Sequence, residues 1–366
     1  GKQVIKGKKK STAAGGSKRA RVNDYDEARF RSAECQERFD TWYMPKKIIP
    51  EKKILWETLP EDNPIQEVII RRQWQQLVSF LEPSSSLILK EFLANIDPDT
   101  VAARRVSWVR GVLVPFDDRT IEKFLDTSYS SFSRYEFHHL FMSMQPDIFT
   151  KMYRDEVPRL ADRIRHGITG LYTSWKTKAG LDYIPEKMRK HDLVGDVVFW
   201  HQFVNHTVIP STNLTDVNIE RACLLYVLRG EGNLYIANLL SNRLLHMIQD
   251  ASSKSWLAHS SLVSRLCLQA GVEIPNDEPM EIQIASLMSH KTYLDAMKGA
   301  AEEQIIRASK LTSEELAMRS PHAVPDPEDF QPLAPEAPLP QPIPPPSSSS
   351  TTQMAPPHEL LYEDSS

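Results

Sequence analysis

The sequence predicts a mainly α protein: a multi-helix globular core with a small β-hairpin element, flanked by disordered tails. Three observations carry that reading. Apolar residues recur at helical spacing in successive windows between residues 64 and 270. One short stretch, 106–116, changes to alternation. Both ends have compositions that leave little to bury. The 366 residues include only 3 cysteines, scattered along the chain, which excludes a disulfide-built scaffold. No run of roughly 18 apolar residues exists, so no membrane contact through a spanning helix is expected.

From Pro64, a residue suited to a first helical turn, Ile70, Trp74, Leu77, Val78 and Leu81 fall on one face, and Pro83 stops the pattern. Ser84–Ser86 can cap a second helix with Ile88, Leu89, Phe92, Leu93 and Ile96 as its stripe. Val106, Trp108, Val112, Val114 and Phe116 then alternate, with Arg110 on the same face and Gly111 between, which predicts a hairpin or two strands. Asp117 or Asp118 caps a helix with Ile121, Phe124 and Leu125 inward. Residues 128–190 carry little periodic signal beyond a helix around Pro146–His166, broken by Gly167, Gly170 and Gly180.

The signal strengthens from Asp192. Val194, Val197, Val198, His201, Val204 and Val208 share a helical face, with Trp200 and Phe203 beside it, and Pro210 ends the run. Ile219, Ala222, Cys223 and Tyr226 mark the next helix, with Gly230 at its C-terminal cap. Ile236, Leu240, Leu244 and Ile248 mark another. Leu262, Val263, Leu266 and Cys267 mark a short one closed by Gly271. Pro275 and Pro279 indicate a linker, and 280–319 reads as a long polar helix. The expected organisation is therefore a disordered basic arm (1–24), a helical domain (25–275), a linker with the polar helix (276–319) and a disordered Pro-rich acidic tail (320–366).

A formal net charge of -4 hides a polar distribution. Residues 1–21 hold eight basic residues and no acid, whereas 321–366 hold seven acids, no Lys or Arg, and half of the 26 prolines. Lys8, Lys9 and Lys10 form one basic cluster and Lys18, Arg19 and Arg21 a second, with a small-residue spacer between. That is the form of a bipartite nuclear-import signal and of a non-specific DNA- or RNA-binding arm. A nuclear location is expected on that ground, with a cytoplasmic one as the alternative. The stretch Pro338–Pro346 favours a polyproline helix, a spacer or a ligand for an aromatic groove. A start at Gly1 rather than Met suggests a fragment or processed product.

The search for chemistry returns mostly refusals, and no cofactor or metal is expected. Cys35, Cys223 and Cys267 lack metal-ligand spacing, and His201 and His206 are five apart rather than the four that places two ligands on one helical face. His201, within an apolar stripe, reads as a satisfied core histidine. Gly230-Glu231-Gly232 has Tyr235 where a dinucleotide site needs its third glycine. Asp126-Thr127-Ser128 lacks the glycine of an aspartic-protease turn, and Tyr153-Arg154-Asp155-Glu156 lacks a polymerase's paired aspartates. The sequons at Asn205 and Asn213 read as chance matches.

Several fragments resemble the plant transposon protein domain family. They are Arg29-Phe30 through Arg38-Phe39, Glu91-Phe92-Leu93-Ala94-Asn95, Val109-Arg110-Gly111-Val112 leading to Phe116 and Ile121, Trp200 to Val208 with Pro210, Ser211 and Thr212, Arg221–Tyr226 with Gly230, and Leu266–Val272. They run in order over roughly 25–275, with Leu93 standing where the family usually has Tyr. The resemblance implies origin in a plant mobile element and brings no catalytic residues with it. The matched residues read mostly as structure: Phe92, Leu225 and Leu266 as core, Gly111 and Gly271 as turn or cap. Arg110 and Arg221, half-buried charges, are expected to pair with buried acids.

The expectation is thus a non-catalytic, element-derived protein with a nucleic-acid- or import-receptor-binding arm and a core that folds alone or self-associates as a homo-oligomer. The competing expectations are a metal-dependent transposase or nuclease component with unrecognised acids, and a degenerate remnant without activity.

Overall fold

In a computed structural model of the chain, the described residues are 25–101, 104–127, 156–170, 175–178, 181–230, 234–249 and 255–310. All belong to a unit spanning Gly1–Thr312; a second unit, Ser313–Ser366, lies outside them. The expected arm and tail therefore lie outside the described residues, and the mainly helical core is as anticipated.

The first helix, α1 (Ala33–Arg38), runs on into a π-helical turn, Phe39–Tyr43. Where one helix is expected from Pro64 to Leu81, there are two. In α2 (Pro64–Arg71), Asn63 caps the start by accepting from the Ile65 amide at 2.9 Å. The chain then breaks at Gln73, in the left-handed region at φ 56°, and restarts as α3 (Gln75–Ser79). The break puts Ile70 at the surface, 50% exposed, while Trp74, Leu77, Val78 and Leu81 stay in the core. It also seats Trp74 edge-on to Trp200, with ring centroids 6.3 Å apart. Arg72, at the break, donates to the carbonyl of Val227 at 2.6 Å, near the C-terminal end of a later helix where a cation is favoured.

Helix α4 (Ser86–Ala94) is capped by Ser85, as anticipated, through the Leu87 and Ile88 amides. Strands β2 (Val106–Val109) and β3 (Val112–Pro115) form the expected antiparallel hairpin, with Val109 opposite Val112. Its two turn residues, Arg110 and Gly111, both take positive φ, 48° and 87°, as the twist of a two-residue hairpin requires. Arg110 is thus in the turn rather than on the strand face. Asp117 caps α5 (Asp118–Leu125), accepting from the Thr120 amide at 3.0 Å. Of the helix expected around Pro146–His166, the described part is α6 (Glu156–Ile168).

Strands β4 (Lys176–Lys178), β5 (Leu181–Arg189) and β6 (Asp216–Asn218) make a three-stranded antiparallel sheet that the sequence does not announce. Helix α7 (Gly195–Phe203) passes into a π-helical turn, Val204–Val208, and its burial extends beyond the valine face to Phe199, Trp200 and Phe203. Helix α8 (Ile219–Arg229), capped by Asn218, ends at Gly230 as anticipated, there with φ -87°. Helices α9 (Ile236–Gln249) and α10 (Ser260–Ala270) follow, the latter closed by Gly271 at φ 90°.

The run 280–319 is not one helix. Its start is extended: Ile282 bridges to Ser84, and β7 (Ser286–Met288) pairs in parallel with β1 (Lys52–Ile54). The helix, α11 (His290–Lys310), begins later and packs on α7. Gly195 makes that crossing possible, because a Cβ there would lie 2.6 Å from the Met297 Cα.

Candidate functional site

The predicted binding residues Lys8, Lys9, Lys10, Lys18, Arg19 and Arg21 lie outside the described residues. The structure does show what the resemblance fragments build. Three of them, far apart in sequence, converge on Glu91, whose side chain is wholly buried in α4. Arg29 donates from Nε to Glu91 Oε1 at 2.7 Å, and its guanidinium lies over the Phe39 ring at 4.9 Å. Arg110 donates from Nε to Oε2 of the same carboxylate at 3.0 Å and reaches Glu278 with Nη2, also at 3.0 Å. Burial pulls the Arg110 guanidinium down, but the hydrogen bonds and charges of Glu91 and Glu278 outweigh it and hold it above its ordinary value. Asn95, one turn on from Glu91, donates to the Arg29 carbonyl at 2.7 Å and accepts from the Arg31 amide at 3.0 Å. Two arginines and two glutamates thus clamp the N-terminal segment, α4, the hairpin turn and the segment after α10. Left-handed Arg110 is what aims its guanidinium at Glu91. The clamp is structural, and its acids are occupied by arginines.

The longest fragment builds a second interior polar contact. His201 is 1% exposed, and the Asn205 amide nitrogen lies 2.8 Å from its Nε2. Burial, aided by nearby cations, takes the imidazole down to about 3, so it is neutral, as a satisfied core histidine should be. Asn205 is equally buried, which removes its sequon from reach of modification. Arg221 corrects an expectation: it donates not to an acid but to the Ile209 carbonyl, at 3.2 Å, and burial lowers it to about 10, leaving it charged. All three cysteines are buried and free; burial raises Cys223 and Cys267 to about 12, far from a reactive thiolate. Asp126 is the left-handed C-cap of α5, and Tyr153–Asp155 and Ser128 lie outside the described residues. Among the described residues, no three His, Cys, Asp or Glu side chains are grouped to hold a metal, and no helix is long and apolar enough to cross a membrane.

One feature the sequence reading passed over is a cleft of about 590 Å³ between α9 and the segment 255–259, within the size range of small-molecule sites. Arg243 and Glu220 form an ion pair on its wall, and His246 lies one turn from Arg243. Burial lowers Arg243 to about 10 and, with Arg243's charge, lowers His246. His259 lines the cleft at 2% exposure, in the left-handed region at φ 60°, and burial takes it to about 3. Trp256 stands at the rim, 41% exposed, with the Lys47 Nζ 5.4 Å from its ring centroid. The spacing Arg243-x-x-His246 on one helical face was the available signal; nothing in the sequence marked His259 as left-handed.

These features define a helical domain whose motif residues serve packing and internal ion pairing. Its sequence matches the family described as "Putative plant retrotransposon-related domain" over residues 70–273, more than half of the chain, and the protein belongs to that family. No curated protein and no solved structure matches it.

Proposed function

We propose that this transposon-derived protein is a non-catalytic binding protein, in which the folded core is a scaffold and the basic arm grips nucleic acid. The supporting observation is the segregation of charge. Eight cations and no acid occupy residues 1–21, whereas the charges of the clamp, Arg29, Arg110, Glu91 and Glu278, are paired with one another. Lys8, Lys9, Lys10, Lys18, Arg19 and Arg21 meet phosphates without reading bases. The same two clusters present themselves to an import receptor, which fits a nuclear protein. Self-association through the core belongs to the same proposal.

The test is binding to DNA and RNA across a salt series, comparing the full chain with one lacking residues 1–24. An arm that engages about 5–8 phosphates gives a slope of log affinity against log salt near -4.5 to -7 on duplex DNA. Retained affinity and slope after deletion of the arm would refute the assignment. Strand cleavage of supercoiled or linear DNA with magnesium or manganese would replace it with a nuclease.

A further inference from the structure

We propose that the cleft beside Trp256 receives one base of a single-stranded nucleic acid, stacked on the indole, with its polar edge turned toward His259 and the Glu220–Arg243 pair. The inference rests on the nucleic-acid reading above but uses a different part of the chain.

Three observations carry it. The first is the rim. Trp256 keeps 41% of its surface open while a cation, the ammonium of the exposed Lys47, sits over its ring. An aromatic face beside lysines is the pairing that holds a stacked base and the phosphates that flank it. The second is the charge of the wall. Glu220 offsets Arg243, and His246 and His259 are shifted toward their neutral forms. A free anion meets the carboxylate and a free cation meets the guanidinium. A neutral, flat heterocycle with donors and acceptors on one edge meets both as hydrogen-bond partners. The third is His259. A neutral imidazole offers one donor and one acceptor, and this one lines the cleft at 2% exposure. A non-glycine residue held at φ 60° is a strained conformation of the kind that collects at binding sites.

The geometry also selects strand form. A base paired in a duplex is stacked on both faces and cannot enter a cleft, whereas an unpaired base can. The volume, about 590 Å³, leaves space for sugar and phosphate at the mouth.

The experiment measures binding of oligo(U), oligo(dT), a duplex of equal length and uridine monophosphate to the full chain, to Trp256→Ala, Trp256→Phe and His259→Asn, and to the version lacking residues 1–24. Asn tolerates the left-handed backbone, so His259→Asn tests the imidazole with little strain. An unchanged thermal midpoint certifies the fold of each variant. Loss of one stacked base weakens single-strand binding about 5- to 100-fold. The expected pattern is that loss in Trp256→Ala, recovery in Trp256→Phe, a smaller loss in His259→Asn, no change on duplex, and an unaltered salt slope. Equal binding by Trp256→Ala and the parent, or equal weakening on duplex, overturns the proposal. Binding of uridine monophosphate as tight as that of oligo(U) also overturns it, in favour of a free-nucleotide site. If arm deletion leaves the salt slope intact while Trp256→Ala still weakens the single strand, the arm assignment fails and the cleft stands.

Discussion

Replacing Glu91 by Gln tests the clamp directly. The carboxylate is wholly buried and accepts from two guanidinia, those of Arg29 and Arg110, at 2.7 to 3.2 Å. Gln keeps the volume but removes the negative charge, and its amide carries donors where the arginines already supply donors. Arg110, only 18% exposed at its side chain, keeps Glu278 as a counter-ion; Arg29 loses its acid. Breaking a buried pair from one side costs about 3–5 kcal/mol, because the remaining charge is left uncompensated. A domain of this kind has about 5–15 kcal/mol in total. Urea denaturation reads the loss: with an m-value of about 3 kcal/mol/M, the midpoint falls by about 1–1.5 M. Glu67→Gln is the control. Its Arg71 partner sits at 3.5 Å on an exposed helix face, where such pairs contribute about 0.5 kcal/mol or less. Adding Arg29→Met to Glu91→Gln should cost less than the sum of the two changes, since the second removes the charge the first has orphaned. A Glu91→Gln loss under about 1 kcal/mol, or additive losses in the pair, would refute the account.

Three further outcomes follow from buried groups and close backbones. His201 and His259 are held neutral, at about 3 against an ordinary 6.5, so their stability contribution is complete above 6.5 and is lost as pH falls from there toward 3. At pH 5 each costs about 2 kcal/mol. Glu51 acts in the opposite sense: burial, only partly offset by the Ser261 amide at 2.9 Å, raises it from 4.5 to about 7, so its protonated form is favoured and stability is lost as pH rises from 4.5 through 7. Glu51→Gln should therefore stabilise the protein by about 3 kcal/mol at pH 8 and hardly at all at pH 4, read by thermal or urea unfolding at both pH values; equal effects at the two would reject the burial of its charge. Gly195→Ala should destabilise by about 1–3 kcal/mol, because the new methyl meets the Met297 Cα as well as its movable sulfur, and the backbone atom cannot swing aside. Tyr293 fluorescence and proteolysis between α7 and α11 would report whether the helix lifts off.

What the sequence made legible was local. The Ser85 and Asp117 caps, the turn at Gly111 and the Gly271 cap each depend on residues within a few positions, and each forms as expected, although the turn also takes in Arg110, expected on the strand face. The misses are non-local. The helix from Pro64 breaks at Gln73 because Trp74 packs against Trp200, a partner 126 positions away that periodicity cannot see. The pairing of β1 with β7 joins Lys52 to Ser286, and neither three-residue strand is long enough to show alternation. In β5, Pro185 and the charged Glu186, Lys187 and Arg189 mask the strand pattern. The expectation that Arg110 meets a buried acid holds, since a half-buried arginine needs one, but which acid it meets emerges only when α4 and the hairpin are folded together. The cleft escaped for the same reason: its walls come from α8, α9 and the segment before α10.

On the proposed reading, family membership and function rest on different residues. Fragments that mark the family at Arg29, Glu91, Asn95 and Arg110 form one ion-paired clamp, and those at His201, Asn205 and Arg221 lie in the interior with internal partners. Changing them should alter stability first and binding only through it. Trp256 and His246, by contrast, have room to change without opening the core, because each has part of its surface at the cleft. Arg29 and Arg110 are paired with Glu91 and Glu278, so the charges of the clamp balance one another within the fold.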